Sequence, residues 1–123
     1  MDINNINNQQ ELKGIKNGYN WRYIGQVVNG LREGKGIYYW NNGDRYEGEW
    51  KNGKMEGKGI YYYNNEPWKG DRYEGEWKND KREGKGIYYY NSGDRRMGDY
   101  YNGKPKGKHV TLSKNGEVKV NNY

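Results

Sequence analysis

The feature that most constrains the fold is an internal repeat. Tyr46 to Tyr63 reads YEGEWKNGKMEGKGIYYY, and Tyr73 to Tyr90 reads YEGEWKNDKREGKGIYYY. An earlier copy starts at Tyr23 and a degraded copy starts at Arg96, so two neighbouring pairs of copies begin 23 residues apart. Self-similarity at a period of this size indicates an array in which each unit packs on its neighbours.

Side chains alternate within each unit as they do in β-strands. From Tyr46 to Lys51 the aromatic residues and glycine fall on one face and the charged residues on the other. Asn52-Gly53 then marks a turn, and from Gly59 to Tyr63 the alternation resumes. Each unit is therefore predicted to be a β-hairpin, and the chain an all-β, elongated, single-layer antiparallel meander of tandem hairpins.

The predicted organisation has three parts. Residues 1–22 read as a polar, Asn/Gln-rich N-terminal tail, and 119–123 as a C-terminal tail. Four repeats lie between them, at 23–45, 46–72, 73–95 and 96–118. The second repeat is longer because of extra residues around Glu66 to Lys69, which we interpret as an insertion in a turn.

The pattern Y-x-G-x-W-x-x-G-x-x-x-G-x-G-x-Y, intact from Tyr46 to Tyr61, resembles the MORN repeat (membrane occupation and recognition nexus). The other copies depart from it at Val27, Asp80, Arg96, Tyr100, His109 and Thr111. The resemblance implies a twisted single-layer sheet that serves as an interaction scaffold. Proteins with such repeats are associated with flagellar axonemes, cytoskeletal structures and membrane contacts, and some precede catalytic domains such as lipid kinases.

The composition requires an unusual core. Hydrophobic residues make up 31% of the chain and the mean hydropathy is −1.55, yet there are 15 Tyr and 5 Trp. The fold must therefore be stabilised by aromatic packing. The absence of Cys excludes disulfides and thiolate metal sites, and no apolar run reaches the length of a membrane span. We expect a protein that is not secreted and has no transmembrane segment, located in the cytoplasm, the cytoskeleton or a cilium.

No group of residues predicts catalysis. His109 is the single histidine and has no ligand partner in the pattern, so we interpret it as an ordinary strand residue. The carboxylate pairs Glu47/Glu49 and Glu74/Glu76 recur at the repeat period, which favours a solvated face or a ladder with lysines of adjacent strands. The Gly-Lys-Gly triplets precede no helix. We expect no enzyme activity, no catalytic residues, no cofactor and no metal.

The first candidate site is the aromatic face, because a single-layer sheet cannot cover it with a second layer of its own. Tyr and Trp are enriched at protein interfaces. The candidate residues are Tyr38, Trp40, Tyr46, Trp50, Tyr61, Tyr63, Tyr73, Trp77, Tyr88 and Tyr90.

The second candidate site is a basic edge, formed where equivalent hairpin turns align. Such an edge would suit anionic headgroups or other phosphates. The candidate residues are Arg32, Lys35, Lys54, Lys58, Lys81, Arg82, Lys85, Lys104, Lys106 and Lys108. The alternative is that these residues only keep the rim of the sheet soluble.

Three functions remain open at this point, in a definite order. The preferred one is a scaffold subunit that binds protein partners through the aromatic face within a larger ciliary or cytoskeletal assembly. A peripheral membrane adaptor that uses the basic edge comes second, consistent with the net charge of +6. Nucleic-acid binding comes last, because the repeat already accounts for the aromatic residues and acidic residues lie among them. The open sheet edges also allow two copies to pair.

Overall fold

The computed structural model describes residues 9–123 as one open antiparallel sheet in which every strand pairs with the next one along the chain. Its ten strands are β1 (Gln9–Lys16), β2 (Tyr19–Val28), β3 (Leu31–Trp40), β4 (Arg45–Lys51), β5 (Lys54–Tyr62), β6 (Arg72–Lys78), β7 (Lys81–Tyr89), β8 (Arg95–Tyr101), β9 (Lys104–Leu112) and β10 (Val118–Asn122). This part of the chain contains no helix. The predicted all-β meander of hairpins is confirmed.

Two-residue turns close one end of each repeat hairpin. In the turn of β4 and β5, Asn52 and Gly53 have φ values of 50° and 80°, as a type I′ turn requires. In the turn of β6 and β7 a non-glycine residue, Asp80, holds φ at 69°. Its carboxylate accepts a hydrogen bond from the backbone N–H of Met55 at 2.8 Å, which ties the turn to the preceding repeat. That contact accounts for an aspartate where the other repeats have glycine.

The sheet extends beyond the four repeats at both ends, so the prediction of tails is wrong for the described residues. Gln9–Lys16 forms β1 and pairs along its whole length with β2, through an Asn-Gly turn at residues 17–18. Val118–Asn122 forms β10, which pairs with β9. The end strands of a repeat array expose unpaired backbone groups, and a further strand satisfies them. The first eight residues of the predicted N-terminal tail lie outside the described part.

The extra residues of the second repeat lie in the connection between β5 and β6. This loop folds back on itself. The N–H of Tyr63 donates to the carbonyl of Asp71 at 3.0 Å, and the N–H of Gly70 donates to the carbonyl of Tyr63 at 2.9 Å. Trp68 projects from it with 51% of its surface exposed. The insertion leaves the strand pairing intact, since β5 and β6 keep the same register as β3 and β4.

The core lies on one face of the sheet and is almost wholly aromatic. Its buried members are Tyr23, Tyr38, Tyr46, Trp50, Met55, Tyr73, Trp77, Tyr88 and Tyr100. The opposite face carries charged residues, isoleucines and further tyrosines in alternation. The alternation read from the sequence therefore assigns the two faces correctly.

Candidate functional site

The aromatic face consists of two rows of rings, of which the first is continuous from one end of the array to the other. Consecutive rings in this inner row meet edge to face, with centroids 5.0 to 5.5 Å apart. The inner row runs Tyr23, Trp50, Tyr46, Trp77, Tyr73, Tyr100, His109 and Tyr123. Edge-to-face packing is a preferred geometry for aromatic pairs, so this row acts as a spine that links the repeats.

Glycines and backbone carbonyls hold the inner row in place. The Tyr46 ring lies over Gly48 and Gly59, and a Cβ on Gly59 would overlap it. The Tyr46 hydroxyl donates to the carbonyl of Glu49 at 3.0 Å, and the Trp50 Nε1–H donates to the carbonyl of Gly36 at 3.1 Å. Tyr46 and Trp50 therefore have their polar ends satisfied while their apolar bodies are buried.

The fourth repeat continues the inner row with a ring from a different strand of its hairpin. Arg96 stands where the other repeats have tyrosine, and His109 stands where they have the second glycine. The His109 ring lies over Gly98, is fully buried, and its Nε2 lies 2.7 Å from the carbonyl of Asp99. The covering ring therefore comes from the second strand of the hairpin instead of the first. His109 lies in strand β9, and its place is structural.

The outer row lies closer to the turns that join successive hairpins, such as the turn between β3 and β4, and is only partly covered. It runs Trp21, Tyr38, Trp40, Tyr61, Tyr63, Tyr88 and Tyr90, with neighbouring centroids 4.6 to 5.8 Å apart. Two of its members are buried, at 9% exposure for Tyr38 and 7% for Tyr88. The others are half-buried. The outer row is therefore the part of the aromatic face that presents rings to solvent.

Two aspartates, of which Asp44 is buried, couple the outer row to the preceding repeat. Asp44 is 5% exposed and accepts hydrogen bonds from the Tyr61 hydroxyl at 2.8 Å and from the backbone N–H of Asn64 at 2.7 Å. Asp71 holds Tyr88 in the same way at 2.7 Å. Burial, followed by the hydrogen bond to Asp44, raises the pKa of Tyr61 above its usual range. The tyrosine stays protonated and keeps donating.

The structure divides the ten predicted aromatic residues between the two rows. Tyr46, Trp50, Tyr73 and Trp77 belong to the inner row and are at most 7% exposed, so they are not part of an open surface. The other six lie in the outer row. A binding role for these six stays a prediction.

Besides Tyr23, Tyr100 and Tyr123 of the inner row, two aromatic residues in or beside the outer row were absent from the predicted set. Trp21 lies in the residues that were read as a tail, and it stacks on Tyr38 at 5.7 Å with the ring planes 9° apart. Trp68 lies in the insertion, with its ring centroid 6.5 Å from that of Tyr63. The signal for Trp21 was the Asn-Gly turn at residues 17–18, which marks a hairpin ahead of the first repeat.

A groove of about 370 Å³ opens beside the outer row, near the middle of the array. Aromatic rings and charged side chains of both signs line it, among them Trp40, Tyr61, Tyr63, Asp80, Lys81 and Arg82. The groove therefore combines aromatic surface with charged groups.

The basic residues do not form a single edge. Arg32 and Arg82 belong to the aromatic face, where the Arg32 guanidinium lies 5.0 Å above the Tyr38 ring and the Arg82 guanidinium 4.7 Å above the Tyr100 ring. Both also donate to backbone carbonyls of the next turn. The eight lysines of the predicted set are exposed. Whether they bind anions stays a prediction.

The paired carboxylates form no ladder of ion pairs with the neighbouring lysines. Glu76 instead accepts a hydrogen bond from the backbone N–H of Lys85 at 2.8 Å, and Glu49 does the same for Lys58. In each case the glutamate caps a bulge at which three residues of one strand oppose one residue of the other. Across residues 9–123, no cluster of His, Asp or Glu has the composition of a metal site.

The opposite face carries a row that the sequence analysis did not single out. Arginine and tyrosine alternate in register across seven strands, as Arg22, Tyr39, Arg45, Tyr62, Arg72, Tyr89 and Arg95. The signal was present in the sequence, since the four arginines lie 23, 27 and 23 residues apart and follow the repeat.

Comparison with known proteins identifies the repeat. The family model for the MORN repeat matches residues 23–45, 46–66 and 73–95, which together span more than half of the chain. No curated protein matches the chain. Within the described residues, no helix is long and apolar enough to cross a membrane.

Proposed function

Because this chain belongs to the MORN-repeat family, we propose that it is a non-catalytic scaffold or assembly subunit that binds protein partners through its outer row. MORN repeats are known in protein-binding and membrane-binding scaffolds, and proteins built from them are generally non-catalytic. The outer row offers what a protein interface needs, namely large amphipathic rings held rigidly and already partly desolvated.

The single observation that carries this proposal is the division of the aromatic face. Apart from Tyr123 at its end, the inner row is buried by its own packing and stabilises the sheet, so it needs no partner. The outer row keeps Trp40, Tyr61 and Tyr63 half-buried beside an open groove. A partner segment laid in that groove would supply the second layer that the sheet lacks. Within this proposal the module works inside a large ciliary or cytoskeletal assembly.

Two neighbouring tyrosines give a matched test of the binding face. Tyr63 lies in the outer row, whereas Tyr62 lies on the opposite face under Arg45. A photoreactive phenylalanine analogue would replace one or the other in the full chain, expressed in its own cells. A protein captured at position 63 and not at position 62 is the expected result. Capture of the same proteins at both positions, or of no protein at position 63, would refute binding through the outer row.

The exposure of the eight lysines favours a second candidate function, peripheral binding to anionic membranes. Sedimentation with vesicles rich in phosphatidylserine, at low and moderate salt, tests it directly. Binding that falls with salt and is lost in a Lys81→Glu, Lys85→Glu variant would support this function. Equal sedimentation of the variant and the parent would exclude these two lysines as the contact.

A further inference from the structure

The row of arginines and tyrosines on the face opposite the rings, from Arg22 on β2 to Arg95 on β8, has no role in the proposed function. Every neighbouring pair in it is a cross-strand partner in the register of the sheet. We call it the Arg–Tyr row. Its seven members are held by strands rather than by loops, so the spacing of its charges is fixed by the sheet.

Tyrosine rings orient three of the four guanidinium groups of this row. The Arg45 guanidinium lies 3.8 Å above the Tyr62 ring, and the Arg72 guanidinium 3.8 Å above the Tyr89 ring. On β2 the Arg22 guanidinium lies 4.9 Å above the Tyr39 ring. A guanidinium stacked flat on a ring keeps its N–H edge free for a planar anion such as a carboxylate.

The carboxylates near the row hold these arginines only loosely. Arg22 pairs with Glu11 at 3.8 Å and Arg72 with Glu74 at 3.9 Å, and all four side chains are 42% to 53% exposed. Ion pairs between such exposed groups are weak. A ligand that offers its own carboxylates can therefore displace them.

The spacing of the row favours one ligand geometry. The four arginines lie on every second strand, and strands are about 4.8 Å apart, so successive guanidinium groups are separated by roughly 9.6 Å. A polyproline II segment advances about 3.1 Å per residue, or roughly 9.3 Å for three residues. Acidic residues at every third position of such a segment would meet successive arginines. Because this helix has no internal hydrogen bonds, it can follow the twist of the sheet.

We propose that the Arg–Tyr row binds an extended acidic peptide in the polyproline II conformation, with a carboxylate at every third residue and proline rings between the tyrosines. Aromatic-lined grooves are a common means of binding proline-rich segments. The rings of Tyr39, Tyr62 and Tyr89 stand between the arginines, where the intervening residues of such a peptide would lie. This surface is separate from the outer row, and its occupant is a second partner.

The test uses the full chain and synthetic peptides of equal composition. The probe has four Glu-Pro-Pro triplets, and its control has the same residues with the four glutamates in one block. Fluorescence anisotropy at moderate salt is expected to show binding of the triplet peptide at least tenfold tighter than binding of the block peptide. Equal affinity for the two would overturn the proposal, because it would mean attraction by net charge alone. Tighter binding of an oligouridylate would overturn it too, in favour of single-stranded RNA.

Paired variants identify the surface. Arg45→Gln with Arg72→Gln removes two positive charges from the row, whereas Lys58→Gln with Lys85→Gln removes two from the same face outside it. The arginine variant is expected to lose at least tenfold in affinity for the triplet peptide, and the lysine variant less than threefold. Circular dichroism checks that each variant is folded, and Arg45→Lys with Arg72→Lys retains the charge if the glutamine variant fails to fold. Equal losses of affinity in the Arg45→Gln, Arg72→Gln variant and the Lys58→Gln, Lys85→Gln variant would refute a specific role for the row.

Discussion

The hydrogen bond between Asp44 and Tyr61 allows the coupling between repeats to be measured. Asp44 lies at the end of the first repeat and Tyr61 in the second, and the hydroxyl donates to the carboxylate at 2.8 Å. The acceptor is 5% exposed and also receives the backbone N–H of Asn64 at 2.7 Å. Water cannot readily replace either donor at such a site.

The expected magnitudes follow from the charge of the acceptor. A hydrogen bond to a charged group contributes about 1.5–3 kcal/mol, so Tyr61→Phe should lower the free energy of unfolding by that amount. Asp44→Ala removes both bonds and leaves two donors without an acceptor, which should cost about 3–5 kcal/mol. In a double-mutant cycle the two changes should be non-additive by about 1.5–3 kcal/mol, since each removes the same contact.

Urea unfolding followed by circular dichroism measures these values. Tyr38 is the matched control, because it occupies the equivalent position in the first repeat and stacks on Trp21 instead of bonding to an aspartate. Tyr38→Phe should change the free energy of unfolding by less than about 0.5 kcal/mol. An additive cycle, or equal losses for Tyr61→Phe and Tyr38→Phe, would refute the claim that Asp44 couples the two repeats.

Three further predictions concern the inner row. Trp50→Ala should lower the free energy of unfolding in urea by about 3–5 kcal/mol, because it leaves a cavity at a buried site. Glu49→Ala should lower it by about 1 kcal/mol, because it removes one hydrogen bond at a bulge. Equal midpoints of the two variants in thermal melts would contradict this assignment of faces. Burial raises the pKa of Tyr23 to about 12. The contribution of this tyrosine to stability is therefore complete below pH 10 and declines as the pH rises from about 10 to 12. The midpoint of thermal unfolding should fall over that range, and a constant midpoint would contradict the prediction. His109→Gly should lower the free energy of unfolding by about 3 kcal/mol, because it removes the ring that covers Gly98. Adding Arg96→Tyr should restore much of this loss by supplying a ring from the other strand. A double variant no more stable than His109→Gly alone would contradict the claim that His109 replaces the tyrosine.

The hairpin array could be predicted from the sequence because its signals are local. An alternation such as that from Tyr46 to Lys51, followed by Asn-Gly, specifies a strand and a turn through the side-chain period of two and the φ preferences of these residues. The insertion around Glu66 to Lys69 was identified for the same reason. Local periodicity also assigned the aromatic side chains to one face.

Other features depend on contacts between strands that are distant in the sequence. Trp50 and Tyr61 both alternate onto the aromatic face, but only the packing across neighbouring repeats makes one a buried ring and the other half-exposed. Side-chain alternation along β3 already places Arg32 and Lys35 on opposite faces of the sheet. The predicted basic edge nevertheless included both, because its residues were grouped by their nearness to a turn. Arg32 stacks on Trp50 of β4 and donates to the carbonyl of Gly53, and both contacts depend on how the next hairpin packs beside β3.

The sequence by itself determined the repeat, the hairpins and the identity of the two faces, because each of these depends on residues within a few positions of one another. The tertiary structure decided which rings are covered, how His109 replaces a tyrosine, and that β1 and β10 extend the sheet. A weakly patterned segment such as Gln9–Lys16 becomes a strand because a preformed edge offers it hydrogen bonds. The energy of that pairing is non-local, and no short stretch of the sequence contains it.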